Sequence, residues 1–264
     1  MSLPSVPQIT RHLLVMPMLL LADVAQGQIA VNRSELILRP DSVEARSGEI
    51  IVRNDGRRRA DAVIRIEDWD RGADGTHRFY EPGTQPGSCA SVLLVSPLEF
   101  SLAPGESRAV EVGLDGAVRS SCWSLVLVES EERVRDASGT MVLAAVRTGV
   151  KVYAVPAGLR AVGEVSEVEV ESSDAAHSSS SLAAVTFRNT GERHLRAHGH
   201  LEIRRTDETV VATLPLPLLQ TLPGAAMTAR VALPSVPKGT YLLRAVIDYG
   251  GATTAAAQRQ RELR

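Results

Sequence analysis

The sequence predicts an all-β protein made of two tandem β-sandwich domains. Three observations carry that expectation. Short stretches of alternating polarity recur, with turn signals roughly every 10–15 residues. Aromatic residues make up only 3% of the chain, so its core must be valine, leucine, isoleucine and alanine, and 14 prolines interrupt it too often for long helices. An apolar strand running into Asn, Gly and a basic loop occurs twice, as "GEIIVRNDGRRR" and "LAAVTFRNTGERH". With 264 residues, the chain has room for two such units.

The N-terminus reads as an export signal. Arg11 precedes the apolar run "LLVMPMLLLA", and the small residues Ala25 and Gly27 follow, which places cleavage after Gly27. Residues 1–27 are therefore expected to leave, and the mature chain is expected in the periplasm or outside the cell. The run is too short to span a bilayer, and no later segment reaches 18 apolar residues, so the mature form has no predicted membrane span. Export makes the cysteines readable. Cys89 and Cys122 are the only two, and an oxidising compartment favours a disulfide over two separate buried thiols.

The elements follow in order. "SELILRP" and "SVEAR" form a first strand broken at Pro40. "GEIIVRN" is a strand closed by the Asn54-Asp55-Gly56 turn. "ADAVIRIEDW" alternates, and the polar stretch after it is too long for a hairpin turn and reads as a surface excursion. "VLLVSPLEFSLAPGESRAVEVGLDG" gives two strands joined at Pro104-Gly105, with Pro97 marking an edge or bulge. "CWSLVLVES" follows, then "ESEERVRD", read as a solvated hairpin connection that holds Glu131-Glu132. Residues 140–155 form the last strand. Seven strands match the count of an immunoglobulin-like sandwich. A second unit starts near Ala157, so the expected domains are 28–156 and 157–264. It contains a serine-rich loop, "AAHSSSS", and its last strand, "TTAAAQRQRELR", is expected to fray.

The strand at 140–155 poses a question. Val142, Ala144 and Val146 share one face, and Met141, Leu143 and Ala145 share the other. Both faces are apolar, and Lys151 stands near the end. One answer is that the protein's own residues cover both faces. The other is that a partner does, because exposed apolar strands aggregate unless they are covered.

Several functions find little support. A net charge of −2 shows no basic stripe for nucleic acid. There is no Gly-x-Ser-x-Gly elbow, glycine-rich phosphate loop or His-Glu-x-x-His, so neither an enzyme nor a cofactor is expected. His194, His198 and His200 cluster in sequence, but only Glu192 and Glu202 stand near them, and a solvated basic loop is expected rather than a metal site. Arg57-Arg58-Arg59 reads as a solvated turn, with an acidic partner as the alternative.

Four stretches resemble the periplasmic pilus-assembly chaperones, a family with two immunoglobulin-like domains. "EIIVRNDG" with "DAVIRIEDW" looks like that family's second and third strands. "VSPLEFSLAPGESRAVEV", "CWSLVLVES" and "AAVRTGVKVYAVP" look like later ones, down to a lysine five residues before a proline. The resemblance implies a function. The last strand of the first domain would lend Val142, Ala144 and Val146 to an incomplete secreted subunit by β-strand addition, and Lys151 would hold the subunit's C-terminal carboxylate between the domains. In that family an arginine on the first strand joins the lysine; here the matching region is read as "RPDSVEAR", with Asp41 or Ser42 at the expected place and Arg39 and Arg46 off register. The partners implied are extended strands of secreted pilus or fimbrial subunits. Without an ATP site, release would need a competing strand. The alternative is a structural or adhesive immunoglobulin-like protein of the cell envelope.

Overall fold

The computed structural model describes residues 29–135, 138–172 and 181–263. The leader and cleavage point expected within 1–27, and all but Ser181 of the serine-rich loop expected over 175–181, lie outside the described residues. Among the described residues no helix is long and apolar enough to cross a membrane.

The first half forms ten strands: β1 (Ile29–Val31), β2 (Glu35–Leu38), β3 (Ser47–Asn54), β4 (Ala60–Arg71), β5 (His77–Tyr80), β6 (Leu93–Ser96), β7 (Glu99–Leu102), β8 (Ser107–Leu114), β9 (Cys122–Arg135) and β10 (Met141–Ala154). One sheet runs β1-β3-β8-β6. The other runs β2-β10-β9-β4-β5, with β7 also on β4. Period-two alternation sets what each strand buries. Ile50 and Val52 of β3 and Val110 and Val112 of β8 face Val126 of β9 and Val150 and Val152 of β10 in one aliphatic core. Pro97 follows β6 directly, and β6 is an edge strand, as a residue without a ladder donor requires.

The second half forms β11 (Gly163–Ser172), β12 (Ser181–Asn189), β13 (Leu195–Arg204), β14 (Val210–Pro215), β15 (Leu219–Thr221), β16 (Ala226–Ala232), β17 (Gly239–Asp248) and β18 (Ala255–Leu263). The sheets are β11-β12-β16 and β14-β13-β17-β18, with β15 on β13. Phe187, Leu201, Ile203, Leu243 and Ile247 fill the core between them.

The repeated Asn-Gly stretch builds the same corner twice. The Asn54 amide donates to the carbonyls of Arg58 (2.7 Å) and Leu102 (3.0 Å), and its oxygen accepts from Gly56 N. The Asn189 amide donates to Arg193 and Thr221, and its oxygen accepts from Gly191 N. Each asparagine backbone also pairs with a Pro-Gly turn: Gly105 N donates to the Asn54 carbonyl and Gly224 N to that of Asn189. Both glycines have φ of +77°, a conformation other residues adopt only at a cost. Asn54 and Asn189 are fully buried, so each replaces solvent with a complete set of bonds.

Four elements differ from the sequence reading. The stretch before Pro104-Gly105, read as one strand, is two, because the chain crosses at Pro97 from β6 on one sheet to β7 on the other. Residues 43–46 form turns rather than strand. The polar excursion contains β5, which pairs with β4 from Asp68 to Arg71. The charged stretch "ESEERVRD" is mostly strand, because β9 runs to Arg135 and pairs with β10 throughout. Polarity hid it: the stretch carries no apolar alternation in sequence, and the pairing of β4 with β9 reaches only Ser130.

Candidate functional site

β10 has one paired edge and one largely open edge. Along its whole length it pairs antiparallel with β9. On the other side β2 pairs with it only from Lys151 to Ala154. Among the described residues no strand pairs with that edge from Met141 to Val150. A row of backbone donors and acceptors is thus available for another strand.

The side chains of β10 grade from covered to open. Val150, Val152 and Ala154 lie in the core of the first sandwich. Val142, Ala144 and Val146 continue the same face outward: Val146 and Ala144 are partly buried, and Val142 is 38% exposed. The residues the resemblance implies are donated thus share a face with those that fill the core, and a single face does both along its length. On the other face Met141 and Leu143 are exposed.

Where the open edge ends, a cluster of cations and rings begins. The Lys151 ammonium lies 5.3 Å from the centroid of the Trp69 ring, a cation–π arrangement. Trp69 is buried, packing edge-on to Tyr153 and tilted against His77. Arg71, two residues along β4 from Trp69 and on the same face, reaches His77 Nε2 through Nη2 at 2.8 Å. Burial pushes the Lys151 ammonium below its ordinary pKa, and the nearby Arg71 charge adds to that. Burial lowers Arg71 as well. Two half-desolvated cations lie close together, and no ion pair neutralises either among the described residues. An arriving anion therefore gains more here than at a solvated lysine.

The second sandwich closes over this cluster. Leu222 joins Trp69, Leu125, Leu127, Tyr153 and Val155 in a small core between the two halves. His194 stacks on Tyr153 with centroids 3.9 Å apart. Burial drives the His194 imidazole down to about 4, so it is neutral at pH 7, and burial raises the Tyr153 hydroxyl. Arg196 Nη1 lies 2.7 Å from Glu35 Oε2, and Gln220 donates to Glu35 Oε1 at 3.2 Å. Thr228 N donates to the Ala73 carbonyl at 2.8 Å. These contacts hold the second sandwich against the end of the first sandwich that carries Trp69 and Tyr153.

The residue beside Lys151 on the neighbouring strand is Glu35, its register partner. The region expected to match, "RPDSVEAR" with Asp41 or Ser42 in the arginine's place, lies downstream of the strand that makes this contact. Position 35 carries an acid, already held by Arg196 and Gln220, and the second cation, Arg71, comes from β4. Arg71 escaped the sequence reading because only the fold brings β4 and β10 to one face across β9. Cys89 and Cys122 are bonded, with Cα atoms 5.1 Å apart, linking the loop before β6 to the start of β9. His198 is exposed and His200 lies 3.6 Å from Glu202. Among the described residues no three His, Cys, Asp or Glu side chains converge as metal ligands.

No protein-family model matches the sequence, and no curated protein matches it. Solved structures do match by shape. The class 5 fimbriae chaperone CfaA superposes with a TM-score of 0.50 at 8% identity, over 88% of this chain and 98% of its own. A chain from a study of the chaperone–tip adhesin complex in CFA/I fimbriae biogenesis gives 0.51 at 8% identity, over 89% of this chain and 99% of that one. At such identities the likeness speaks for the fold alone. The chain is all-β and has the two-domain immunoglobulin-like fold of the pilus-assembly chaperones.

Proposed function

We propose that this protein is a periplasmic chaperone for secreted pilus or fimbrial subunits and not an enzyme. The observation that carries the reading is the open edge of β10 from Met141 to Val150, with apolar side chains along it and two half-buried cations at its end. A subunit lacking a strand gains backbone hydrogen bonds from that edge and apolar contacts from Val142, Ala144 and Val146. Its terminal carboxylate meets Lys151 and Arg71, where charge-assisted bonds form in a partly dry cleft. The working domains are 28–156 and 157–264, with 1–27 removed on export.

A second reading rests on Glu35. An acid beside Lys151, tied to Arg196 and Gln220 of the other sandwich, also suits a fixed joint in a structural or adhesive envelope protein. Purification of the protein from its native envelope separates the two. Under the chaperone reading a small β subunit copurifies stoichiometrically and is lost from Val146→Asp and Lys151→Ala. A subunit-free protein, or a partner retained by both variants, supports the fixed joint.

A further inference from the structure

Glu35 is an acid set beside cations that it does not neutralise. Lys151 and Glu35 are register partners on β10 and β2. The next pair, Val152 and Leu36, fills the core, so alternation puts Glu35 and Lys151 side by side on the outer face. Neighbouring strands run about 4.8 Å apart, a separation across which an ammonium and a carboxylate can meet. A half-desolvated ammonium also gains more from such a pair than a solvated one. Even so, among the described residues neither Lys151 nor Arg71 forms an ion pair.

The second sandwich accounts for this. Both oxygens of the Glu35 carboxylate are taken: Arg196 Nη1 lies 2.7 Å from Oε2, and Gln220 Nε2 donates to Oε1 at 3.2 Å. Arg196 and Gln220 are themselves register partners across β13 and β15. Backbone pairing thus sets the two donors beside each other as a fork, formed before Glu35 reaches it. Glu35 is the more enclosed partner, with 17% of its side chain exposed against 48% for Arg196.

Resting on the carboxylate site of the proposed function, we propose that Arg196 and Gln220 are its positioning residues: they hold Glu35 away from Lys151 and Arg71 and so keep both cations open to an incoming carboxylate. The first sandwich carries its own competitor for that site, one strand away from the lysine. Docking of the second sandwich withdraws the competitor. A guanidinium and an amide, one on each oxygen, outcompete a single flexible ammonium.

The chain has two lysines, Lys151 and Lys238, so NMR of the full chain labelled at lysine reads each ammonium separately, with Lys238 as the internal reference. The titration compares the wild type, Glu35→Gln, Arg196→Ala and the double variant. Glu35→Gln should lower the Lys151 pKa modestly in the wild type, and by about one pH unit more when Arg196 is replaced, because only then does Glu35 reach the ammonium. Gln220→Ala takes no charge from the cluster, so a rise of Lys151 in that variant reports the movement of Glu35. A labelled Val-Thr-Val-Thr-Val-Thr peptide with a free C-terminal carboxylate gives the second readout. Its affinity should fall about tenfold in Arg196→Ala and return when Glu35→Gln is added. An equal effect of Glu35→Gln on Lys151 with and without Arg196 overturns the proposal. So does a loss in Arg196→Ala that Glu35→Gln leaves unrescued, which makes Arg196 a direct contact of the carboxylate. The titration needs no bound chain: the expected Lys151 pattern beside a peptide that fails to bind the wild type supports the positioning of Glu35 and contradicts the carboxylate site.

Discussion

Lys151 and Trp69 meet face to charge: the ammonium of one lies 5.3 Å from the ring centroid of the other. The indole gives the lysine a partner that does not neutralise it, so the charge stays available to an anion. Arg71, on the same face of β4, adds a second cation. The contact places a desolvated charge where the open edge of β10 ends.

Affinity for a subunit with a free C-terminal carboxylate should fall about 10–100-fold in Lys151→Ala and by a similar factor in Arg71→Ala, the range for losing one charge-assisted bond. Isothermal titration with the copurified subunit measures it. Amidating the subunit's C-terminus should reproduce the loss, and the loss should not deepen further when amidation is combined with Lys151→Ala. Full affinity in both single variants would show that the cations have another role.

Val146→Asp should abolish subunit capture without unfolding the protein. Val146 is only partly buried, so an aspartate there stays hydrated in the free chain but is desolvated beneath a bound subunit. The measurement pairs a pull-down with a thermal melt. Val150→Asp is the contrasting variant: Val150 is fully buried, and its replacement should lower stability itself by several kcal/mol.

The Cys89–Cys122 disulfide closes 33 residues. Cys89→Ser with Cys122→Ser should cost about 3–4 kcal/mol by the chain-entropy account. Urea unfolding measures this, with the transition midpoint falling. An unchanged midpoint would mean that the loop before β6 is held by its hydrogen bonds to β9 alone.

Stability should fall as pH drops from about 6.5 towards 4, and His194 should be one cause. The imidazole is pushed down to about 4 by burial against Tyr153, while the unfolded chain keeps its ordinary value near 6.5. In that window the unfolded state binds a proton that the folded state refuses, so the His194 contribution is complete above the window and lost through it. The loss is roughly 2–3 kcal/mol. Denaturation curves across the window measure it, and His194→Phe should flatten the dependence.

The sequence made most of the fold legible because burial writes a period of two. Asn54 and Asn189 are the clearest case: the repeated "RNDG" and "RNTG" predict two similar units, and the structure gives both asparagines the same buried bonds. The signal failed where burial did not govern. Residues 131–135 of β9 lie past the edge of the sandwich, carry mostly charged side chains and read as loop. β5 was hidden because three of its four residues are exposed. The site was legible in part. Lys151 and the apolar strand stand together in sequence, whereas Arg71 and Trp69 come from β4, Glu35 from β2 and His194 from the loop before β13, and spacing along the chain cannot bring them to one cleft.

Hydrogen exchange at the β10 amides tests the central claim most directly. In the free protein, amides of residues 141–150 that point to the open edge should exchange fast, while those paired to β9 are protected. Adding the copurified subunit should protect the open-edge set, and Val146→Asp should leave it fast. Open-edge amides already slow in the free protein, or unchanged by a bound subunit, would contradict the account.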